Sequence, residues 1–143
     1  MLKNVPKLLS PELLKILCEM GHGDEIVIAD ANFPSANYGQ RVIRADGIGG
    51  AELLAAVLQM IPLDTYATPY MILMQLQPCD EGKVNPVIWK EYEAIAKKAD
   101  ANVQMGNINR FDFYERAKQA YAVIASGEEA IYANIILKKG VIQ

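Results

Sequence analysis

The sequence predicts a single α/β domain over residues 1–143, a mostly parallel or mixed sheet between two helical layers. Strand-like and helix-like segments alternate through most of the chain, the pattern that builds a sheet covered by helices. The strand candidates are continuous apolar runs, as expected for strands covered on both faces. A length of 143 residues suits one domain with a core of its own.

The first element, "SPELLKILCEMG", is a helix with both ends marked. Ser10 is its N-cap, Pro11 takes the first helical position and Glu12 suits the positive end. Leu13, Leu17 and Met20 share one face with Leu14 beside them. Gly21 is the expected C-cap. "EIVIAD" then reads as a buried strand, "NFPSANYG" as a loop and "QRVIRA" as a short strand. "GIGGAELLAAVLQMIP" is a helix that starts after glycines and stops at Pro62. "YMILMQLQ" is a third buried strand and "PCDEGKVNP" a loop. "VIWKEYEAIAKKA" is an amphipathic helix with Ile88, Tyr92, Ile95 and Ala99 on its apolar face. "NVQMGNI" reads as a strand, and "RFDFYERAKQ" as a helix with Asn109 as its N-cap. "AYAVIA" and "NIILKKG" are the last two strands. Only a short turn-like segment separates them, which leaves room for antiparallel pairing near the end.

Composition removes several function classes. The net charge is −3 with mixed signs, not the basic footprint of a nucleic-acid binder. No window reaches membrane-spanning length, and the N-terminus lacks a signal-peptide pattern; the expectation is a cytoplasmic protein. Cys18 and Cys79 have no C-x-x-C spacing and read as ordinary thiols. One histidine and no clustered cysteines offer no transition-metal site. "GIGGAE" places Glu52 where a dinucleotide fingerprint needs its third glycine, so it reads as a tight helix entry. Lys138 and Lys139 read as a solvated pair. The apolar content of 52% is slightly high for a lone domain and hints at a buried subunit interface.

The polar candidates gather at strand ends, where open α/β sheets bind ligands. Asp30 closes the first strand, as a ligand-binding carboxylate or as a turn cap for "ANFP". His22, the only histidine, lies between two glycines at the other end of that strand. A strand of that length spans roughly 17–20 Å, so His22 and Asp30 do not face one site within one subunit. Either they are unrelated, or a second copy brings its His22 to Asp30. Arg110 opens a helix, an unfavourable place for a cation unless it serves something else or pairs with Asp112 or Glu115. Tyr132 and Asn134 offer a hydroxyl, an amide donor and an amide acceptor, or simply turn chemistry. These side chains suit a polyhydroxylated ligand better than an acyl or phosphoryl group.

"SPELLKILCEMGHGDEIVIADANFP", "NRFDFYERA" and "YANIILKKGV" closely resemble the L-fucose mutarotases, relatives of the D-ribose pyranases. The resemblance runs nearly end to end. It implies an α/β/α sandwich of Rossmann-like kind, assembled as a ring-shaped homo-oligomer, typically a decamer, with sites between neighbouring subunits. It implies His22 as the catalytic histidine, and Asp30, Arg110 and the segment Tyr132, Ala133 and Asn134 as sugar-binding positions. The pyranases tend to carry histidine in place of Arg110, so the arginine favours fucose. Ala133, often glycine in the fucose branch, looks more like the pyranases, and Asn32 can be histidine in fucose members.

The implied reaction needs no cofactor and no metal. The anomeric hydroxyl loses a proton, the ring oxygen gains one, and the open aldehyde rotates and recloses. Histidine titrates near neutrality and serves as either acid or base, which assigns proton transfer to His22 with Tyr132 as its partner. The alternatives are a D-ribose pyranase, a monosaccharide-binding protein without turnover, and a structural ring with an incidental pocket.

Overall fold

The computed structural model describes residues 1–143. Eleven elements follow one another: α1 (Pro11–Glu19), β1 (Glu25–Ala29), α2 (Ser35–Tyr38), β2 (Val42–Ala45), α3 (Gly50–Met60), β3 (Met71–Met74), α4 (Ile88–Ala99), β4 (Met105–Ile108), α5 (Arg110–Gln119), β5 (Ala122–Ser126) and β6 (Ile135–Lys138). The six strands form one sheet in the order β2-β5-β1-β6-β3-β4.

Helices cover both faces. Ile26 and Ile28 of β1, with Ile124, Ile135 and Met71, pack beneath α1, α3 and α4. Val27 and Ala29, with Val123, Ile136 and Ile72, face α5 and Phe33. Successive residues of a strand point to opposite faces, so an unbroken apolar run fills two cores at once. That is the α/β/α sandwich.

Most local readings hold. Ser10 accepts the Leu13 N–H at 3.1 Å, and Asn109 accepts that of Asp112 at 3.0 Å. Three details differ. α1 ends one residue early: Met20 is its extended C-cap, because Met20 turns into the core while the Asp24 carboxylate takes the Gly21 N–H at 2.7 Å. The segment 35–38 winds into the short α2 after Pro34. On α4 the inward face uses Ala96, and Ala99 is exposed.

The sheet is mixed because of β6. It runs antiparallel to β1 and β3, while β1, β2 and β5 are mutually parallel, as are β3 and β4. β6 follows β5 in sequence but crosses to the far side of β1. Its start therefore lies beside the carboxyl ends of β1 and β3, and its end returns to their amino ends. Ile135 pairs with both Ile28 and Leu73, and Lys138 with Glu25.

Candidate active site

The carboxyl edge of the sheet opens into a cleft of about 300 Å³ whose lining includes Asp30, Asn32, Gln77, Arg110, Tyr132 and Asn134. Asp30 follows the end of β1, Arg110 opens α5 just after β4, and Tyr132 and Asn134 lie just ahead of the inverted β6. Four of the residues expected from the sequence thus meet in one place.

Asp30 and Asn134 hold each other reciprocally. The Asn134 Nδ2 donates to Asp30 Oδ2 at 2.8 Å, and the Asp30 backbone N–H donates to Asn134 Oδ1 at 2.8 Å. The Asn32 N–H donates to Asp30 Oδ1 at 3.0 Å. The turn-cap reading of Asp30 is therefore satisfied, and the residue lies in the lining of the cleft. Burial pushes the Asp30 carboxyl above its ordinary value, and these hydrogen bonds only partly oppose the shift.

Arg110 takes no carboxylate partner. Its Nε donates to the Tyr114 hydroxyl at 3.1 Å, one helical turn on, and its guanidinium lies 5.2 Å from the centre of the Tyr114 ring. Both terminal nitrogens of the fork remain for a ligand.

Tyr132 sits at φ 61°, a left-handed conformation that a tyrosine adopts only when its surroundings enforce it. α4 supplies the enforcement. The Trp89 indole N–H donates to the Tyr132 carbonyl at 2.8 Å, and the Tyr92 hydroxyl to the Ala133 carbonyl at 2.8 Å. The Tyr132 hydroxyl donates to the Asp80 carboxylate and accepts the Gln77 N–H at 3.2 Å. Burial and Asp80 push that hydroxyl above its ordinary value, so it carries its proton at neutral pH. Ala133 itself points into the core, 1% exposed. Its side chain does not line the cleft, and its place in the motif is as backbone between two cleft residues.

His22 is not in this cleft. It lies beyond the amino end of β1, separated from Asp30 by the whole strand, about 17 Å at 3.3–3.4 Å per residue. Its ring is 46% exposed, and its Nε2 is 3.2 Å from Asp64 Oδ1. Lys138 and Lys139 are not a solvated pair. Lys138 Nζ approaches Asp64 at 3.8 Å, and Lys139 Nζ donates to the Leu17 and Met20 carbonyls at the end of α1.

Sequence reasoning missed Gln77, Asp80, Trp89, Tyr92 and Tyr114. Only Tyr114 had a local signal, since it stands four residues after Arg110 on one helix face. Gln77 lines the cleft from the segment after β3, and Asp80, Trp89 and Tyr92 act on it only through the Tyr132–Ala133 segment that they hold.

A model of the RbsD / FucU transport protein family matches residues 3–142. The chain is 52% identical over 145 residues to a fucose mutarotase of Homo sapiens, covering 99% of this chain and 94% of that one. The fucose mutarotase of Streptococcus pneumoniae, solved in complex with L-fucose, superposes with a TM-score of 0.94 at 47% identity, covering 99% of this chain and 100% of that one. The Bacillus subtilis RbsD complexed with D-ribose superposes with a TM-score of 0.74 at 25% identity, covering 100% of both chains. No helix is long and apolar enough to cross a membrane. With an α/β/α sandwich, a polar cleft at its carboxyl edge and these likenesses along its length, the chain belongs to the RbsD / FucU transport protein family.

Proposed function

We propose that the protein is an L-fucose mutarotase, an isomerase that interconverts the α and β anomers of L-fucose by acid–base ring opening and closure. The observation that carries this reading is the cleft itself. It gathers a carboxylate, a guanidinium, an amide and a phenol around a small space, with no strong nucleophile. Such a set binds hydroxyls through many directional hydrogen bonds, the ionised ones being the stronger. The likeness to a fucose-bound protein at 47% identity, against 25% for a ribose-bound one, supports fucose over ribose.

Asp30, Asn134 and Arg110 hold ring hydroxyls. His22 of a neighbouring copy enters the cleft and exchanges a proton with the anomeric oxygen. Tyr132, protonated and hydrogen-bonded to Asp80, is the second proton-transfer group, at the ring oxygen. As one proton leaves the anomeric hydroxyl another reaches the ring oxygen, the C1–O5 bond breaks, and the aldehyde rotates about C1–C2 before closing on its other face. The position of His22 on the opposite edge from the cleft supports sites between subunits of a closed ring, and the family resemblance implies that this ring is a homodecamer. The exposed, unpaired thiols of Cys18 and Cys79 fit a reducing, cytoplasmic location.

NMR magnetisation exchange between the two anomers of L-fucose tests the reading, with D-ribose as the comparison sugar. Exchange accelerated by the protein is expected for fucose. Sugar binding without acceleration would make the protein a binding module, and acceleration with ribose alone would make it a pyranase.

A further inference from the structure

Tyr92 is the largest side chain sealed completely inside the protein. A buried phenol needs a hydrogen-bond partner, and this one has a single acceptor, the Ala133 carbonyl at 2.8 Å. Burial, then the charges of Glu128 and Asp30, push the hydroxyl above its ordinary value, so it stays a donor.

The room for that hydroxyl is made on α3. A Cβ on Gly50 would lie 2.1 Å from the Tyr92 oxygen and 3.2 Å from the ring carbon that bears it. Gly50 opens α3, and its backbone is not left-handed as those of Gly23 and Gly82 are. Alanine is otherwise the better helix residue, so the missing Cβ serves the phenol and not the turn. The Gly50 N–H donates to Glu128 Oε2 at 3.0 Å, and Glu128 Oε1 accepts the Ala130 N–H at 3.0 Å. The start of α3 is thereby tied to the chain that leads into Tyr132.

Two consecutive carbonyls of that chain are held from α4. Trp89 takes that of Tyr132, and Tyr92 that of Ala133. The donors stand three residues apart, neighbours on one helix face, so α4 clamps two successive peptide planes at a fixed spacing. The grips are unequal. The bond from Trp89 is only part-buried, whereas that from Tyr92 is buried, and a buried carbonyl deprived of its donor has no water to replace it. Asn134 has a separate anchor in Asp30. The backbone of Tyr132 makes no hydrogen bond except the one to Trp89.

We propose that Tyr92 is the positioning residue for Tyr132: its phenol, admitted by Gly50, holds the left-handed turn from which the Tyr132 hydroxyl reaches the sugar. This rests on the assignment of Tyr132 to proton transfer. Once the Ala133 carbonyl is released, the turn at φ 61° relaxes, and the Tyr132 hydroxyl leaves Gln77 and Asp80.

Tyr92→Phe removes one oxygen and leaves the ring in the core. Its turnover in anomer exchange is expected to fall about ten- to a hundredfold, the scale on which a misplaced reacting group costs rate, while KM for L-fucose stays within about twofold because Asp30, Arg110 and Asn134 keep their own contacts. Gly50→Ala drives a methyl group into the phenol oxygen and is expected to show the same split. In the double variant the two losses should not add, since the oxygen through which both act is already gone. A purely structural role would lower the urea midpoint of each variant and leave the turnover of the folded protein unchanged, an outcome that overturns the proposal. A crystal structure of Tyr92→Phe gives a reading that needs no turnover. Tyr132 is expected to leave the left-handed region or its hydroxyl to leave Asp80; an unmoved Tyr132 overturns the proposal. Absence of anomer exchange in the unmodified protein would overturn the mutarotase reading, and the place of Tyr132 in that crystal would still decide the role of Tyr92.

Discussion

His22 is separated from its own chain's cleft by the length of β1, so under the proposed mechanism replacing it removes a proton-transfer group and leaves the residues of the cleft in place. His22→Ala is expected to abolish accelerated anomer exchange while calorimetry still detects L-fucose binding; exchange at the unmodified rate would remove His22 from the mechanism. Arg110 lies in the cleft, on the proposed binding side of that division. It commits Nε to Tyr114 and leaves the rest of a planar fork for sugar hydroxyls, whereas histidine is shorter and presents fewer donors. Arg110→His is expected to lower exchange on L-fucose relative to D-ribose by roughly ten- to a hundredfold, the worth of one charged hydrogen bond. An equal effect on both sugars would make Arg110 a structural partner of Tyr114. At this scale the sequence revealed residue types and strand ends, which is why Asp30, Arg110, Tyr132 and Asn134 could be singled out. It did not reveal Asp64, Trp89 or Asp80. Their contacts with His22 and Tyr132 span 42, 43 and 52 residues, and no local pattern encodes such pairings.

Each helix that serves the cleft does so by carrying a second function at one end. α5 buries Phe113 completely, edge-on to Phe33 with ring centres 6.0 Å apart, and that packing fixes the turn from which Arg110 projects. Phe113→Ala should remove about 3–5 kcal/mol of stability, read as an earlier midpoint in urea unfolding, and should raise KM for L-fucose because Arg110 loses its platform. A mutant with an unchanged midpoint would mean that α5 is held from elsewhere. The caps and apolar faces of α1 and α5 were readable because they are local: Ser10 and Asn109 each act within three residues. The short α2 was not, since four residues after a proline carry too little pattern. Nor was the partner of β6. A short connection after β5 is compatible with antiparallel pairing beside β5, but β1 and β2 already occupy both sides of that strand, and β6 crosses over to reach β1 and β3.

Across the whole molecule the two halves of the proposed site face opposite edges of the sheet, so a subunit contact that joins them would be head-to-tail and closable into a ring. Two defective chains should then repair each other. A mixture of His22→Ala and Asp30→Ala subunits, unfolded and reassembled together at equal amounts, is expected to recover about a quarter of the unmodified exchange rate by random pairing. Each protein reassembled alone should stay inactive. No recovery in co-assembled particles would force the imidazole and the carboxylate into one subunit, against the separation imposed by β1. Overall shape was the easiest thing to read from the sequence, because alternating elements and doubly buried strands leave few architectures. The proposed shared site rests on the separation of His22 from the cleft, and β6 runs from one of these edges to the other. That strand carries Tyr132 and Asn134 just ahead of its first residue and meets His22 and Asp64 beyond its last. In the proposed assembly each chain is a link with a hook at one end of β6 and an eye at the other. An open row of such links always has one fewer working site than it has members, a lone link has none, and only closure gives every member its own. If the proposed ring forms, catalytic output per chain is a gauge of its closure, expected to fall on dilution before any chain has unfolded.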